Sequence, residues 1–169
     1  PRMGTCGNLT VLENMALADN KNKLFGLGTG VNKKRVDYYK SLLETCGMGL
    51  ENRMNVPVGN LSGGQRQAIA LIIASMTDID LLILDEHTAA LDPKSSETLM
   101  KITDKVVKEK KVTTLMVTHN LRFAVEYGSR LVMMHEGHCV MDLSGEKKQN
   151  AKVDDLLSVF NEISIESGN

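Results

Sequence analysis

Hydrophobic positions along the chain change their spacing near residue 77. Before this point they recur at intervals of three and four residues, which is the spacing of helices that bury one face. After it, apolar runs of strand length alternate with helical segments. The pattern predicts a helical region over residues 1–76 and a mixed α/β region over residues 77–169.

Polar caps indicate where the first two helices begin. Thr10 and Glu13 have the spacing of a capping box, which predicts a helix that ends at about Ala18. Asn32 is a candidate cap for a second helix, and Gly47 is the residue type that commonly ends one.

A third helix is predicted to begin at Ser62, because Ser62 and Gln65 repeat the capping-box spacing. The first amides of this helix would lie beside Gly63 and Gly64, which let other groups approach the backbone closely. A helix start of this kind is suited to an anion such as a phosphate. A well-capped helix without a ligand is the alternative interpretation. The apolar face that predicts the helix consists of Ile69, Ile72, Ile73 and Met76.

The second region predicts a parallel sheet followed by a hairpin. Strands that alternate with helices form βαβ units with right-handed crossovers. Glu136 and Gly137 form a two-residue turn between the last two strands, and Ser164–Asn169 is expected to be a frayed tail. In chain order the predicted elements are a buried strand at Leu81–Leu84, a helix at Pro93–Lys110, a strand at Thr113–Thr118, a helix at Leu121–Tyr127 closed by Gly128, strands at Arg130–Met134 and Cys139–Met141, and a helix at Asp154–Phe160.

Composition narrows the possible partners. The 169 residues are 42% hydrophobic and 24% charged, with a formal net charge of -1, so no basic surface for nucleic acid is indicated. No apolar run reaches the roughly 18 to 20 residues that span a bilayer, so a membrane role would require a partner. Three cysteines that lie far apart in the sequence favour free thiols over a disulfide framework.

Four short motifs follow one another in the chain: LSGGQ at Leu61–Gln65, LLILDE at Leu81–Glu86, AALD at Ala89–Asp92 and MVTHN at Met116–Asn120. A Gly-Gly pair alone is typical of a turn, and an apolar run that ends in two acids is typical of a strand that ends in solvent. In this order and at this separation, however, the four segments resemble the signature motif, Walker B strand, D-loop and switch-histidine segment of ATP-binding cassette (ABC) ATPases.

The resemblance implies a fold and a set of roles. The fold is α/β: part of a RecA-like P-loop ATPase core, with a parallel βαβ sheet and a C-terminal hairpin, over residues 77–169, and the ABC α-helical subdomain over residues 1–76. The implied cofactors are ATP and Mg²⁺. Asp85 would order Mg²⁺ through water, Glu86 would be the general base, and His119 would contact the γ-phosphate. Leu61, Ser62, Gly63, Gly64 and Gln65 would bind the nucleotide of the opposite subunit, and Ala89, Ala90, Leu91 and Asp92 would form the D-loop that touches that subunit.

Two departures from the family pattern are visible. The phosphate-binding pattern G-x-x-x-x-G-K-[ST] is absent, and the first residues, Pro1–Thr5, resemble the stretch after the family's Q-loop glutamine. We therefore expect the C-terminal part of a longer protein, inactive alone. His87 stands where the family most often has proline, and we expect no effect of this difference on activity.

The resemblance favours the ATPase subunit of an ABC transporter on the cytoplasmic face of a membrane. Its implied partners are a second ABC ATPase subunit, identical or different, and a permease whose coupling helix binds the helical subdomain. One alternative is a soluble ABC ATPase of DNA repair or translation, which coiled-coil or basic extensions would favour, and another is a binding module without activity. Two weaker signals are a metal site at His135, His138 and Cys139, which lacks a fourth ligand, and a dinucleotide loop at Gly26, Gly28 and Gly30, which follows no strand.

Overall fold

The computed structural model describes residues 4–21 and 30–166. Gly26 and Gly28 of the glycine loop therefore lie outside the described residues. Contacts within the chain divide it into two compact units, Pro1–Met116 and Val117–Asn169. The predicted boundary between residues 76 and 77 falls within the first unit and stays a prediction.

The first unit consists of helices followed by one βαβ segment. Short 3₁₀ turns at Lys33–Arg35, Leu50–Asn52 and Val58–Asn60 connect its helices. Its regular elements are α1 (Val11–Asp19), α2 (Val36–Glu44), α3 (Gly63–Ser75), β1 (Leu81–Asp85), α4 (Pro93–Lys110) and β2 (Thr113–Val117), whose last residue begins the second unit.

The predicted cap of α1 is confirmed. Thr10 Oγ1 accepts a hydrogen bond from the Glu13 amide at 3.2 Å, and Glu13 Oε2 accepts one from the Thr10 amide at 2.7 Å. Asn32 also caps, but the single helix predicted from Asn32 to Gly47 is wrong. The Asn32 side chain accepts from the Lys34 amide and so starts a 3₁₀ turn, and α2 proper runs only from Val36 to Glu44.

The core of the first unit lies between its helices and one face of β1. The buried cluster includes Met15 of α1, Leu43 of α2, Ile69 of α3 and Leu99 of α4. It extends to two residues of β1, Leu82 and Leu84.

Strand β1 has the predicted position, but the strand that was predicted to be buried has one buried and one exposed face. Leu81 and Ile83 are 52% and 60% exposed, whereas Leu82 and Leu84 join the core. A continuous apolar run is typical of a strand that is covered on both faces. In this structure only one face of the β1–β2 sheet packs on the core, so burial alternates along the strand.

Helices α3 and α4 approach each other closely where both begin. A Cβ atom added to Gly63 would lie 3.1 Å from Leu91 Cδ2, and one added to Gly64 would lie 3.0 Å from Ser95 Cβ. Both distances are below ordinary van der Waals contact. Two glycines in succession therefore bring the start of α3 against the loop before α4 and its first turn.

The second unit contains a hairpin and three helices. Strands β3 (Arg130–His135) and β4 (His138–Ser144) pair antiparallel, with Arg130 opposite Ser144 and His135 opposite His138. The predicted turn is confirmed, since Glu136 and Gly137 have φ values of +44° and +80°, the conformation that such turns require. The helices are α5 (Leu121–Glu126), α6 (Gly145–Gln149) and α7 (Val153–Glu166).

The predicted hairpin is confirmed, since β3 pairs with β4 in the described residues. One expectation for the second unit needs correction. Helix α7 continues to Glu166, so the predicted tail at Ser164–Asn169 is helical over its first three residues. The remaining residues, 167–169, lie outside the described part. No helix within residues 4–21 and 30–166 is long and apolar enough to cross a bilayer.

We predict that the two glycines differ in their tolerance of alanine. Gly64→Ala should lower the free energy of unfolding by about 1–3 kcal/mol, because Ser95 Cβ is attached directly to the α4 backbone and cannot move aside. Gly63→Ala should change it by less than about 1 kcal/mol, since the end of the Leu91 side chain can rotate away and alanine favours a helix. Urea unfolding of both variants measures the difference. Equal stabilities would contradict the close approach of α3 and α4.

Candidate functional site

The first turn of α3 is fixed by a complete capping box. Ser62 Oγ accepts from the Gln65 amide at 3.3 Å, and Gln65 Oε1 accepts from the Ser62 amide at 3.2 Å. Gln65 Nε2 also donates to the carbonyl oxygen of Met48 at 3.2 Å. The side chain of Gln65 therefore ties the start of α3 to the loop that follows α2.

A positive charge lies beside this helix start. Arg66 Nη1 donates to the carbonyl oxygen of Leu61 at 2.5 Å, and Leu61 itself is buried in the core. The N-terminus of a helix carries a partial positive charge and amides that have no partner within the helix. Together with Arg66 and the two glycines, it favours binding of an anion such as a phosphate.

The acidic pair lies where β1 ends. Asp85 is the last residue of the strand and its side chain is exposed. Glu86 is half-buried, and its φ of +46° places a residue with a side chain in the left-handed region. Such a conformation costs on the order of 1–3 kcal/mol, and it persists where the surrounding structure enforces it.

Hydrogen bonds close the loop after β1 and attach it to α4. The Ala89 amide donates to the Glu86 carbonyl at 3.0 Å. Ser96 Oγ of α4 donates to the Thr88 carbonyl at 3.3 Å, and His87 Nε2 lies 3.3 Å from Thr103 Oγ1 of the same helix. Burial lowers the pKa of His87, while the negative charge of Glu86 opposes this shift.

The predicted D-loop leads directly into α4. Asp92 caps the helix, with its Oδ1 accepting from the Ser95 amide at 3.0 Å, and Pro93 occupies the first helical position, as expected from the sequence. Hydrogen bonds from the Ser95 side chain and amide hold the pKa of Asp92 below its usual value. Ala89 and Ala90 are exposed, and the half-buried Leu91 lies at the position that a Cβ of Gly63 would meet.

His119 belongs to the second unit and follows the end of β2 by two residues. Its neighbours hold the chain in place: Thr118 Oγ1 accepts from the Asn120 amide at 3.1 Å, and Asn120 Oδ1 caps α5 by accepting from the Phe123 amide at 3.2 Å. The position of His119 after a strand agrees with the sequence. Its role at the γ-phosphate stays a prediction.

The structure brings together the signature segment Leu61–Gln65 and the D-loop segment Ala89–Asp92, both of which lie in the first unit with Asp85 and Glu86. The sequence did not indicate the contacts of Ser96 and Thr103 with the loop after Glu86. The sequence feature that could have indicated these contacts is the spacing of the two hydroxyls. They are seven residues apart, on the face of α4 that also carries buried Leu99.

The histidines His135 and His138 are paired at the end of the hairpin, and no group of three or more metal-binding side chains occurs among the described residues.

Comparisons with known proteins agree with the fold. The model of the ABC transporter family matches residues 3–89. A tyrosine transport ATP-binding protein of Clostridioides difficile R20291 is 46% identical over 160 residues, covering 95% of this chain and 63% of that protein. The energy-coupling factor transporter ATP-binding protein EcfA2 of Bacillus cereus ATCC 14579 is 36% identical over 120 residues, covering 71% of this chain and 40% of that protein.

A solved structure supports the same assignment. The ATP-binding cassette MJ0796, in a dimeric post-hydrolysis state bound to ADP and Pi, superimposes with a TM-score of 0.67 at 27% identity, covering 85% of this chain and 60% of that chain. The chain thus spans less than two thirds of the length of each of these three proteins. The predicted α/β fold of a RecA-like ATPase with a C-terminal hairpin is confirmed. Because the family model covers more than half of the 169 residues, the chain belongs to the ABC transporter family, as the four motifs indicated.

Proposed function

We propose that this chain is part of the ATP-binding subunit of an ABC transporter, which hydrolyses ATP between two head-to-tail subunits and drives a membrane permease. The observation that carries the proposal is the contact between two motifs of the first unit. The capped, glycine-lined start of α3 lies against Leu91 of the D-loop, so an anion site and a segment that would meet the partner subunit are adjacent. An interface that closes on nucleotide needs both features on one surface.

The start of α3 provides the phosphate-binding groups. The helix dipole, the amides of Gly63 and Gly64, and the charge of Arg66 all favour a γ-phosphate held by the opposite subunit. The role of Gln65 is then to hold this turn, because its oxygen and nitrogen bind Ser62 and Met48 within the chain.

The acidic pair provides the reaction groups. A single exposed carboxylate suits Mg²⁺, which prefers oxygen ligands and keeps several waters, so Asp85 would hold the ion through water. When bound, ATP would supply the phosphoryl group, and Mg²⁺ would neutralise part of its negative charge. Glu86 accepts the proton of the attacking water, and His119 donates a hydrogen bond to the γ-phosphate.

A phosphate-binding loop must complete this site, because the sequence contains no match to G-x-x-x-x-G-K-[ST]. We assign the remaining phosphate contacts to a loop outside these 169 residues, and the chain alone is then inactive. "Complete cassette" below means these residues joined to such a loop.

The remaining partners follow from the same proposal. The subunit lies on the cytoplasmic face of the membrane, and its region 1–76 receives a coupling helix of the permease. The name of the C. difficile relative refers to tyrosine transport, and its 46% identity supports transport as the class of function. The formal net charge of -1 does not indicate the basic character that binding to DNA or ribosomes would favour.

We expect Glu86→Gln in the complete cassette to bind ATP with unchanged affinity but to lose turnover, because an amide cannot accept the proton of water. The variant should also accumulate an ATP-bound dimer. Steady-state hydrolysis measures the effect, with Glu109→Gln as the control for the lost charge, since Glu109 is an exposed side chain on α4. The 169-residue chain serves as the inactive blank. A fall of less than about tenfold, roughly 1.4 kcal/mol of barrier, would exclude Glu86 as the base.

Ser62→Arg should block closure of the dimer without affecting ATP binding by the monomer. The bulky cation would occupy the start of α3, where amides should meet phosphate. Gel filtration of the Glu86→Gln cassette with ATP, with and without the second change, measures closure. Ser41→Arg controls for the added charge, because Ser41 is exposed on α2.

Dimerisation of the Ser62→Arg variant on ATP would disprove the role of Leu61–Gln65 in the opposite site. If closure behaves as expected and the complete cassette copurifies with ribosomes or DNA instead of a permease, the ATPase assignment stands and the transport assignment is wrong.

A further inference from the structure

Glu86 occupies a backbone conformation that must be enforced. It is one of three residues other than glycine with positive φ within the described ranges. The other two lie in tight bends, Lys111 at the end of α4 and Glu136 in the hairpin turn. Glu86 instead lies where β1 ends, and its backbone sets the direction of the side chain that we propose as the base. Its left-handed conformation is disfavoured for residues with a Cβ.

Two side chains on one face of α4 contact the loop that follows Glu86. Ser96 and Thr103 are seven residues apart, which is about two helical turns, so they lie on the same face. They are 7% and 4% exposed. Ser96 Oγ donates to the Thr88 carbonyl, and Thr103 Oγ1 lies 3.3 Å from His87 Nε2. Two buried hydroxyls therefore hold the two residues that follow Glu86.

The direction of the His87 hydrogen bond follows from the protons available. Thr103 Oγ1 donates its only proton to the carbonyl oxygen of Leu99 at 2.9 Å. It can then only accept from His87, so Nε2 of His87 carries the proton that is shared with Thr103. The ring is thereby fixed in one orientation against α4.

We propose that His87 and Thr103 are positioning residues for Glu86. The bond between them holds the peptide that joins Glu86 to His87, keeps Glu86 in its left-handed conformation, and so aims its carboxylate at the attacking water. This inference rests on the proposed role of Glu86 as general base. It replaces the expectation that His87 has no effect on activity.

Four variants of the complete cassette distinguish this positioning role from a purely structural role of the buried side chains. Thr103→Val keeps the shape of the side chain and removes the acceptor. Thr98→Val is the matched control, because Thr98 Oγ1 makes the same bond to the carbonyl oxygen four residues earlier, that of Lys94, at 2.9 Å. His87→Leu removes the donor, and His87→Gln keeps an N–H group at a similar reach.

The expected result is a separation of kcat from KM. Thr103→Val and His87→Leu should each lower kcat for ATP hydrolysis by about tenfold while KM stays within about twofold, because the base is misdirected but nucleotide contacts remain. His87→Gln should restore most of kcat. A kcat of Thr103→Val equal to that of Thr98→Val, or His87→Gln no better than His87→Leu, would overturn the proposal.

Hydrogen exchange tests the same bond without turnover. The amide of Ala89 donates to the Glu86 carbonyl, so its exchange in the nucleotide-free cassette reports the turn itself. Thr103→Val should speed this exchange about tenfold relative to Thr98→Val, and unchanged protection would overturn the proposal. If Thr103→Val fails to fold, exchange of the Ala89 amide is compared in His87→Leu and His87→Gln. Equal exchange in these two variants would then overturn the proposal.

The two experiments also distinguish the present proposal from the proposed function. A cassette that hydrolyses no ATP, or whose activity survives Glu86→Gln, would remove the role of Glu86, whereas the exchange of the Ala89 amide would still show whether Thr103 holds the turn.

Discussion

The close approach of α3 and α4 at their first turns is the constraint on which the candidate site depends. A Cβ atom added to Gly63 or Gly64 would lie closer than ordinary van der Waals contact to Leu91 or Ser95. The positive end of α3 is therefore held against the segment that leads from the acidic pair into α4. Because the side chains of Leu91 and Ser95 pack directly against these glycines, the two motifs keep a fixed relation that a flexible loop could not give them.

Helix α4 has two roles in the first unit. It connects β1 to β2 as the crossover, and its buried face holds the loop that begins at Glu86. Asp92 stabilises the start of the helix. Apolar residues such as Leu99 anchor the helix in the core, while Ser96 and Thr103 bind polar groups of the loop. Burying a hydroxyl group that has a hydrogen-bond partner costs little free energy. These side chains therefore fix the orientation of the loop without destabilising the core.

Local signals explain which elements could be predicted from the sequence. The capping boxes at Thr10 and Ser62, and the Asp92-Pro93 start of α4, are short-range patterns, and each was predicted correctly. Other features depend on residues that are distant in the sequence. One-sided burial of β1 and the bond between His87 and Thr103 depend on parts of the chain that approach each other only in the folded structure. The roles of Glu86, His119 and the signature residues come from resemblance and stay predictions.

The spacing of Ser96 and Thr103 limits how the length of this protein can change. Adding or removing one residue between them would rotate Thr103 by about 100° around the helix axis and direct its hydroxyl away from His87. Beyond Thr103 the helix continues to Lys110 and ends in exposed, charged residues. Insertions and deletions during evolution should therefore be tolerated near Lys111, whereas the two turns from Ser96 to Thr103 should keep a constant number of residues.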